Sequence, residues 1–386
     1  MHKYIKRLAE SRVLMNMDVF PAVAILGPRQ CGKSTLIKNL AKDLDSFVCL
    51  DLQNRDDIAK LAEPGLFFKA NEAKTICLDE VQLLPELFRD LRSIIDQNRR
   101  NGRFILLGSA SRNLLQKSSE SLAGRIGMID LSPFLLQELI HESEFELSRY
   151  WFRGGFPDSY LARSDEASSL WLENFLRTYA ERDIPQLGFQ IPAQQLMRML
   201  MMTAHSHGQL FNASKLGESL GLTHPTIKRY LDLLIQTFIL RALPPWESNI
   251  KKRLVKSPKV FVRDTGLLHR LLQINDYNQL LGHPVLGASW EGMVIENICN
   301  HFPEFEFSFY RSATGDEMDL IMQKPGLRIA IECKASTAPK PEKSFYRALE
   351  VIKPDKTYIV APVKGHYPYK TGIDVCGLSE IIDLLT

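Results

Sequence analysis

The chain has 386 residues, of which 45% are hydrophobic and 24% charged, and a net charge of +3. That length accommodates two or three domains, and the composition is that of an ordinary soluble protein. The near-neutral balance excludes a whole-chain field for polyanions, so any basic surface is local, and no uninterrupted apolar segment approaches the length of a membrane span.

The basic start, Lys3, Lys6 and Arg7, resembles the first part of a secretion signal, but the apolar stretch after it is short and runs into the motif below. Cleavage would destroy that motif, so a cytoplasmic protein is expected, with no membrane partner. Six cysteines at 31, 49, 77, 299, 333 and 376 form no C-x-x-C pair and have no histidine at zinc-like offsets. Reduced thiols are expected rather than disulfides or structural zinc.

The apolar run Ala22–Leu26 leads into Gly27, Pro28, Arg29, Gln30, Cys31, Gly32, Lys33, Ser34 and Thr35. This is the G-x-x-x-x-G-K-[ST] phosphate-binding pattern. Its glycines let loop N–H groups and the next helix N-terminus face an anion, Lys33 reaches the β/γ-phosphates, and the Ser34 hydroxyl ligates Mg²⁺. ATP and Mg²⁺ are the expected cofactors. A helix is expected from Lys33 to about Leu44, then apolar runs at 47–50, 75–78 and 104–107, whose spacing predicts a parallel sheet covered on both faces. The second run ends in Asp79 and Glu80, a metal-holding carboxylate and a water-polarising one. The third ends in Gly108, Ser109, Ala110 and Ser111, where Ser109 is either a γ-phosphate sensor or a helix cap. Arg125, after Leu122-Ala123-Gly124, is either an arginine finger, in its own subunit or a neighbour's, or a structural ion pair.

These segments, with Arg153-Gly154-Gly155-Phe156-Pro157, resemble a large family of prokaryotic AAA-type ATP-binding proteins. Its members join the ATPase to a C-terminal domain of unknown function similar to restriction-endonuclease-like nucleases of the PD-(D/E)xK type. The resemblance covers essentially the whole chain. It implies an α/β fold: a P-loop NTPase parallel sheet, then a helical and winged-helix domain, then an α/β restriction-endonuclease-like domain. The boundaries expected are 1–150, 151–195, 196–270 and 271–386. Similarity to signal-transducing ATPases implies that Pro157 packs on adenine; as plain chemistry, a proline after two glycines is also a helix-linking turn. The charge-dense segment 179–185 resembles a family motif and suggests no role beyond an interdomain contact.

In the middle of the chain, 212–220 reads as a short helix, Gly221 as its stop and Thr223 as the cap of a second helix to about Gln236. Leu222, Ile227, Tyr230, Leu231, Leu234 and Ile235 form the inner stripe, leaving His224, Thr226, Lys228 and Arg229 outward. The segment 248–263 carries six Lys or Arg and no acid, so Lys251, Lys252 and Arg253 are candidate phosphate contacts beside a recognition helix. The alternative is an interdomain lid that touches no DNA.

Farther on, 287–300 reads as a helix, and 316–322 and 327–334 as a hairpin turning at Lys324-Pro325-Gly326. Period-two alternation puts Glu332 and Lys334 on one face and the hairpin brings Asp319 beside them. Asp319 and Glu332 are the expected Mg²⁺ ligands, Lys334 steadies nucleophile or phosphate, and Glu291 supplies the helical acid. The open alternatives are an active nuclease, a binding domain without catalysis, and a solvated ion-pair network. Three accounts follow: an ATP-driven protein acting on nucleic acid, foremost DNA; an ATP-dependent switch binding an operator or protein partner; and an oligomeric DNA motor with Arg125 working between subunits.

Overall fold

The computed structural model describes residues 4–44, 46–109, 122–246 and 256–386. Ala110, Ser111, Lys251, Lys252 and Arg253 lie outside the described residues. The chain divides into two compact units: one of residues up to Phe134 with Ile184–Phe189 and Gln236–Ile239, the other comprising Leu135–Asp183, Gln190–Ile235 and Leu240–Thr386. Among the described residues no helix is long and apolar enough to cross a membrane.

The first unit begins with helix α1 (Ala9–Val19), strand β1 (Ala22–Leu26) and helix α2 (Lys33–Leu40). Strands β2 (Phe47–Asp51) and β3 (Thr75–Asp79), helix α3 (Leu87–Gln97), and strands β4 (Phe104–Gly108) and β5 (Ile126–Asp130) follow. The strands form a sheet in the order β2-β3-β4-β1-β5, with every pairing parallel. Successive strand side chains point to opposite faces, so each face builds its own core. Ala22, Ala24, Leu26, Leu78 and Leu106 pack with Phe68, Phe88 and Leu91. Val23, Ile25, Cys77 and Ile105 pack with Val13, Met17, Leu36 and Ile37 on the other side. Helices on both faces explain why β1 is wholly buried and reads as an unbroken apolar run.

In the second unit, β6 (Gln209–Leu210) precedes helices α4 (Ala213–Leu220) and α5 (His224–Gln236). Gly221 closes α4 in the left-handed region at φ +66°, a conformation a side chain disfavours. Ile227, Tyr230, Leu231, Leu233 and Leu234 form the buried face of α5, while His224, Lys228 and Arg229 are exposed and Thr226 is half-buried. Strands β7 (Leu240–Leu243) and β8 (Lys259–Val262) complete a three-stranded antiparallel sheet in the order β6-β8-β7.

Helix α6 (Leu286–His301) then leads to β9 (Glu306–Arg311), β10 (Glu317–Lys324), β11 (Leu327–Cys333), helix α7 (Lys343–Ile352), and β12 (Lys356–Val360), β13 (His366–Lys370) and β14 (Ile373–Cys376). They form a mixed sheet, β13-β14-β12-β11-β10-β9, in which β12 runs parallel to β11 and β14. The β10-β11 hairpin pairs Lys324 with Leu327, leaving Pro325 and Gly326 as a two-residue turn with Gly326 at φ +79°. Proline then glycine matches the backbone this turn needs.

Candidate functional site

The phosphate loop emerges from the buried end of β1. A Cβ on Gly27 would lie 2.1 Å from the Leu131 carbonyl oxygen, so only glycine fits there, and Gly32 enters α2 at φ +102°. Lys33 is buried, its Nζ donating to the carbonyls of Gly27 and Pro28 at 2.9 Å each. Ser34 Oγ donates to Asp79 Oδ2 at 2.6 Å, joining the first turn of α2 to the tip of β3. Burial raises the Asp79 carboxyl, and the Ser34 hydrogen bond works against that rise.

Glu80 sits in the left-handed region at φ +58°, and its N–H donates to Asp79 Oδ1 at 2.9 Å. Its carboxylate accepts a short hydrogen bond from Gln82 Nε2 and lies 3.7 Å from Arg29 Nε. Gln82 Nε2 also donates to Ser109 Oγ at 3.0 Å. Ser109 is thus linked to Glu80 through Gln82, a residue that carries no motif and escaped the sequence analysis. Pro28 and Cys31 are buried, while Gln30 and Thr35 are exposed.

Arg7 was also missed. Its buried guanidinium donates to Cys31 O at 2.9 Å, Ser132 O at 2.7 Å and Pro133 O at 3.3 Å, and it lies over the Phe134 ring at 5.0 Å. The residue that resembled part of a signal holds the phosphate loop to the segment after β5.

Two expectations need correction. Arg125 stands at the start of β5, and its register neighbours are Ala22↔Ile126 and Leu26↔Asp130. The phosphate loop follows the opposite end of β1, about 16 Å away along the strand. Arg125 is held there by Asp96 on α3 at 2.6 and 2.9 Å, so it does not serve the site of its own subunit. In the basic segment 248–263, Lys259 and Arg263, both among the described residues, are less available than the composition suggests. Arg263 is half-buried and pairs with Glu296 at 2.6 Å, and Lys259 is 3% exposed, so both are engaged within the fold. Pro157 opens a one-turn helix in the second unit. The glycines before it serve packing: a Cβ on Gly154 would meet the Asp264 carboxylate at 2.2 Å, and Gly155 N–H donates to Asp264 at 2.7 Å.

In the second unit Glu291, Asp319, Glu332 and Lys334 form one cluster. Cys333 N–H donates to Asp319 Oδ2 at 2.8 Å, and Lys334 Nζ lies 2.7 Å from Glu332 Oε1. Lys259 Nζ is 2.8 Å from Glu291 Oε1, 2.7 Å from Glu317 Oε1 and 3.7 Å from Asp319 Oδ1. Burial, then the charge of Asp319, pushes the Glu291 and Glu332 carboxyls up to about 8 against the opposing ammoniums. Glu332 Oε2 is buried without a hydrogen-bond partner. Among the described residues no three His, Cys, Asp or Glu side chains gather closely enough to hold a metal ion. Asp319 and Glu332 fit Mg²⁺ as a pair completed by water or phosphate, whereas Glu291 and Glu317 are taken by Lys259. Glu317 was detectable, two residues before Asp319 on the same strand face; nothing local pointed to Lys259.

This arrangement, a parallel sheet with a phosphate loop facing a carboxylate pair, is that of an AAA-type ATPase domain, and residues 19–140 match the AAA domain family. Residues 144–278 and 286–381 match two domains of unknown function, DUF8612 and DUF4143. The uncharacterized protein Rv2008c of Mycobacterium tuberculosis is 38% identical over 98% of this chain and 84% of its own length. Its Mycobacterium bovis counterpart, Mb2031c, matches to the same extent. The chain belongs to the family of these two proteins, and in it the AAA domain is followed by DUF8612 and DUF4143. Among solved structures, a Walker-type ATPase of Pyrococcus abyssi aligns at 14% identity and TM-score 0.46, over 70% of this chain and 96% of that one. A signal-transduction ATPase of Pyrococcus horikoshii aligns at 12% and 0.31, over 78% and 48%.

Proposed function

We propose that this chain is an Mg²⁺-dependent ATPase that acts on nucleic acid, its second unit contributing a winged-helix contact and a nuclease-like carboxylate site. The observation that carries the nucleotide reading is the 2.6 Å bond between Ser34 and Asp79 beside the buried ammonium of Lys33. Ser34 and Asp79 would hold Mg²⁺, Lys33 and the loop N–H groups would hold the triphosphate, and Glu80 would orient the attacking water. Bound Mg²⁺ supplies charge neutralisation at the phosphate oxygens. Lys33→Ala is expected to lower ATP hydrolysis by about 10²–10³-fold, as loss of a preorganised charge stabiliser does. Retained turnover would remove the assignment.

Two observations support the nucleic-acid part: the exposed Lys228 and Arg229 on α5, and the grouping of Asp319, Glu332 and Lys334. DNA is expected to stimulate hydrolysis, and the double reversal Lys228→Glu/Arg229→Glu to weaken retention on DNA and flatten its salt dependence. If DNA and RNA leave turnover unchanged and the reversal changes nothing, this part fails.

Lys259 seated among the carboxylates favours a second reading, an ATP-dependent switch whose C-terminal unit binds DNA or a protein partner without cutting. Mn²⁺-dependent degradation by the wild type that Asp319→Ala abolishes would exclude it. An oligomeric motor requires Arg125 to leave Asp96 and act on a neighbour; an assembly that forms on ATP addition, measured by light scattering, is its signature.

A further inference from the structure

Lys259 opens β8, well before the other members of the cluster in sequence, yet its ammonium lies inside that cluster with its side chain 3% exposed. Glu291 reaches it from α6, and Glu317 and Asp319 from β10; the Phe309 ring centroid lies 5.5 Å away. Removing a lysine from water costs several kcal/mol, so this burial persists because the carboxylates surround it. Burial alone would push the ammonium towards neutrality; Glu291, Asp319 and Glu317 push harder the other way and keep it charged.

The strand gives Lys259 little freedom to leave. Val260, Phe261 and Val262 are each 2% exposed, and β8 is paired on both sides, to Gln209–Leu210 and to Leu240–Leu243. At its other end Arg263 grips Glu296 of α6, the same helix that carries Glu291, and Arg241 grips Glu296 from β7. Ion pairs therefore fasten both ends of β8 to one helix.

The four carboxylates do not share this cation equally. Glu291 and Glu317 bond to Lys259 at hydrogen-bonding distance, Asp319 stands farther off at 3.7 Å, and Glu332 bonds to Lys334 while its second oxygen is buried and unpartnered. Four carboxylates thus face two ammoniums, with Arg311 3.6 Å from Glu317 at the margin.

We propose that Lys259 is a tethered cation that occupies one of two cation positions in this cluster, reserving Glu291 and Glu317 and leaving only Asp319 and Glu332 to a divalent ion. Glu291, the helical acid, is then a ligand of the lysine and not of a metal. The carboxylates now stand apart around the ammonium; with an apolar side chain of similar length in place of Lys259, Glu291, Glu317 and Asp319 are released to close on a hard divalent cation instead.

The test counts Mn²⁺ bound to the full-length protein without nucleotide, by the electron-spin signal of free Mn²⁺ at equilibrium. The contribution from Ser34/Asp79 is common to wild type and variant and cancels in the difference; Asp319 faces both cation positions, so the extra ion is assigned by its loss with Glu291→Gln. Lys259→Met is expected to bind one more ion than the wild type, to lose it again with Glu291→Gln, and to gain more in unfolding temperature from Mn²⁺ than the wild type does. Should Lys259→Met fail to fold, Lys259→Met/Glu317→Gln removes one charge of each sign and is expected to show the same gain through Glu291 and Asp319. Equal Mn²⁺ counts in the wild type and the folded variant overturn the proposal. So does a loss of bound Mn²⁺ from the wild type on Glu291→Gln.

Discussion

Replacing Arg7 with methionine tests whether the phosphate loop depends on the N-terminal segment. Hydrogen bonds of the guanidinium include 2.9 and 2.7 Å ones to Cys31 O and Ser132 O and a longer one to Pro133 O at 3.3 Å. Hydrogen bonds with a charged partner contribute about 1.5–3 kcal/mol each, so counting the two short ones gives roughly 3–6 kcal/mol. Methionine keeps most of the apolar stem but loses the guanidinium over Phe134 and every donor, which removes these partners from the buried carbonyls. In a domain of this size such a loss lowers the unfolding midpoint by on the order of 10 °C. Part of it falls on the loop itself, because Cys31 stands inside the phosphate-binding motif. If about 1.4 kcal/mol appears there, ATP affinity drops about tenfold. Titration with a fluorescent ATP analogue reads the affinity and calorimetric melting reads the stability. Arg7→Lys, which keeps the charge but not the planar fork, is expected to fall between wild type and methionine. Affinity within a factor of about two of wild type, with an unchanged midpoint, would refute the reasoning.

Gln82→Ala breaks the link from Glu80 to Ser109 without touching a phosphate ligand, so the turnover rate is expected to fall while the Michaelis constant for ATP stays level. Equal changes in both would mean that Gln82 supports the loop rather than the carboxylate. The carboxylate cluster sets a pH dependence. Glu291 and Glu332 are raised to about 8 in the folded chain from 4.5, so between those values the unfolded chain releases protons that the folded chain keeps. The second unit therefore loses stability as pH rises through that window. All four tryptophans, at 151, 171, 246 and 290, lie in that unit, so their fluorescence reports its unfolding alone. The midpoint is expected to be lower at about pH 8.5 than at about pH 6, and Asp319→Asn, which removes the repelling charge, to flatten the difference. A midpoint rising with pH would contradict the cluster's electrostatics.

Much of the first unit was readable because its signals are local. The runs at 47–50, 75–78 and 104–107 are the cores of β2, β3 and β4; β3 and β4 are central and buried on both faces, which calls for continuous apolar side chains, while β2, at one edge, is only partly buried yet keeps an apolar run. The edge strand β5, Ile-Gly-Met-Ile-Asp, is only partly buried and carries a glycine, and it left no comparable run. In the second unit the Pro325-Gly326 turn and a period of two were enough to bring Asp319, Glu332 and Lys334 together.

The residue types and offsets of the phosphate loop, the strand alternation and the hairpin were determined by the sequence alone, because each depends on neighbours a few positions away. Which charges meet was decided by tertiary structure. Lys259 and Arg263 read as a basic patch until the pairing of β8 and the packing of α6 placed them against Glu291 and Glu296. Arg125 read equally as a finger or an ion pair until strand polarity put it at the far end of the sheet beside Asp96, and Arg7 read as a leader charge until it reached Cys31. A charged side chain carries its sign in the sequence. Its partner is set by contacts between segments far apart along the chain, where burial makes an unpaired charge too costly to keep.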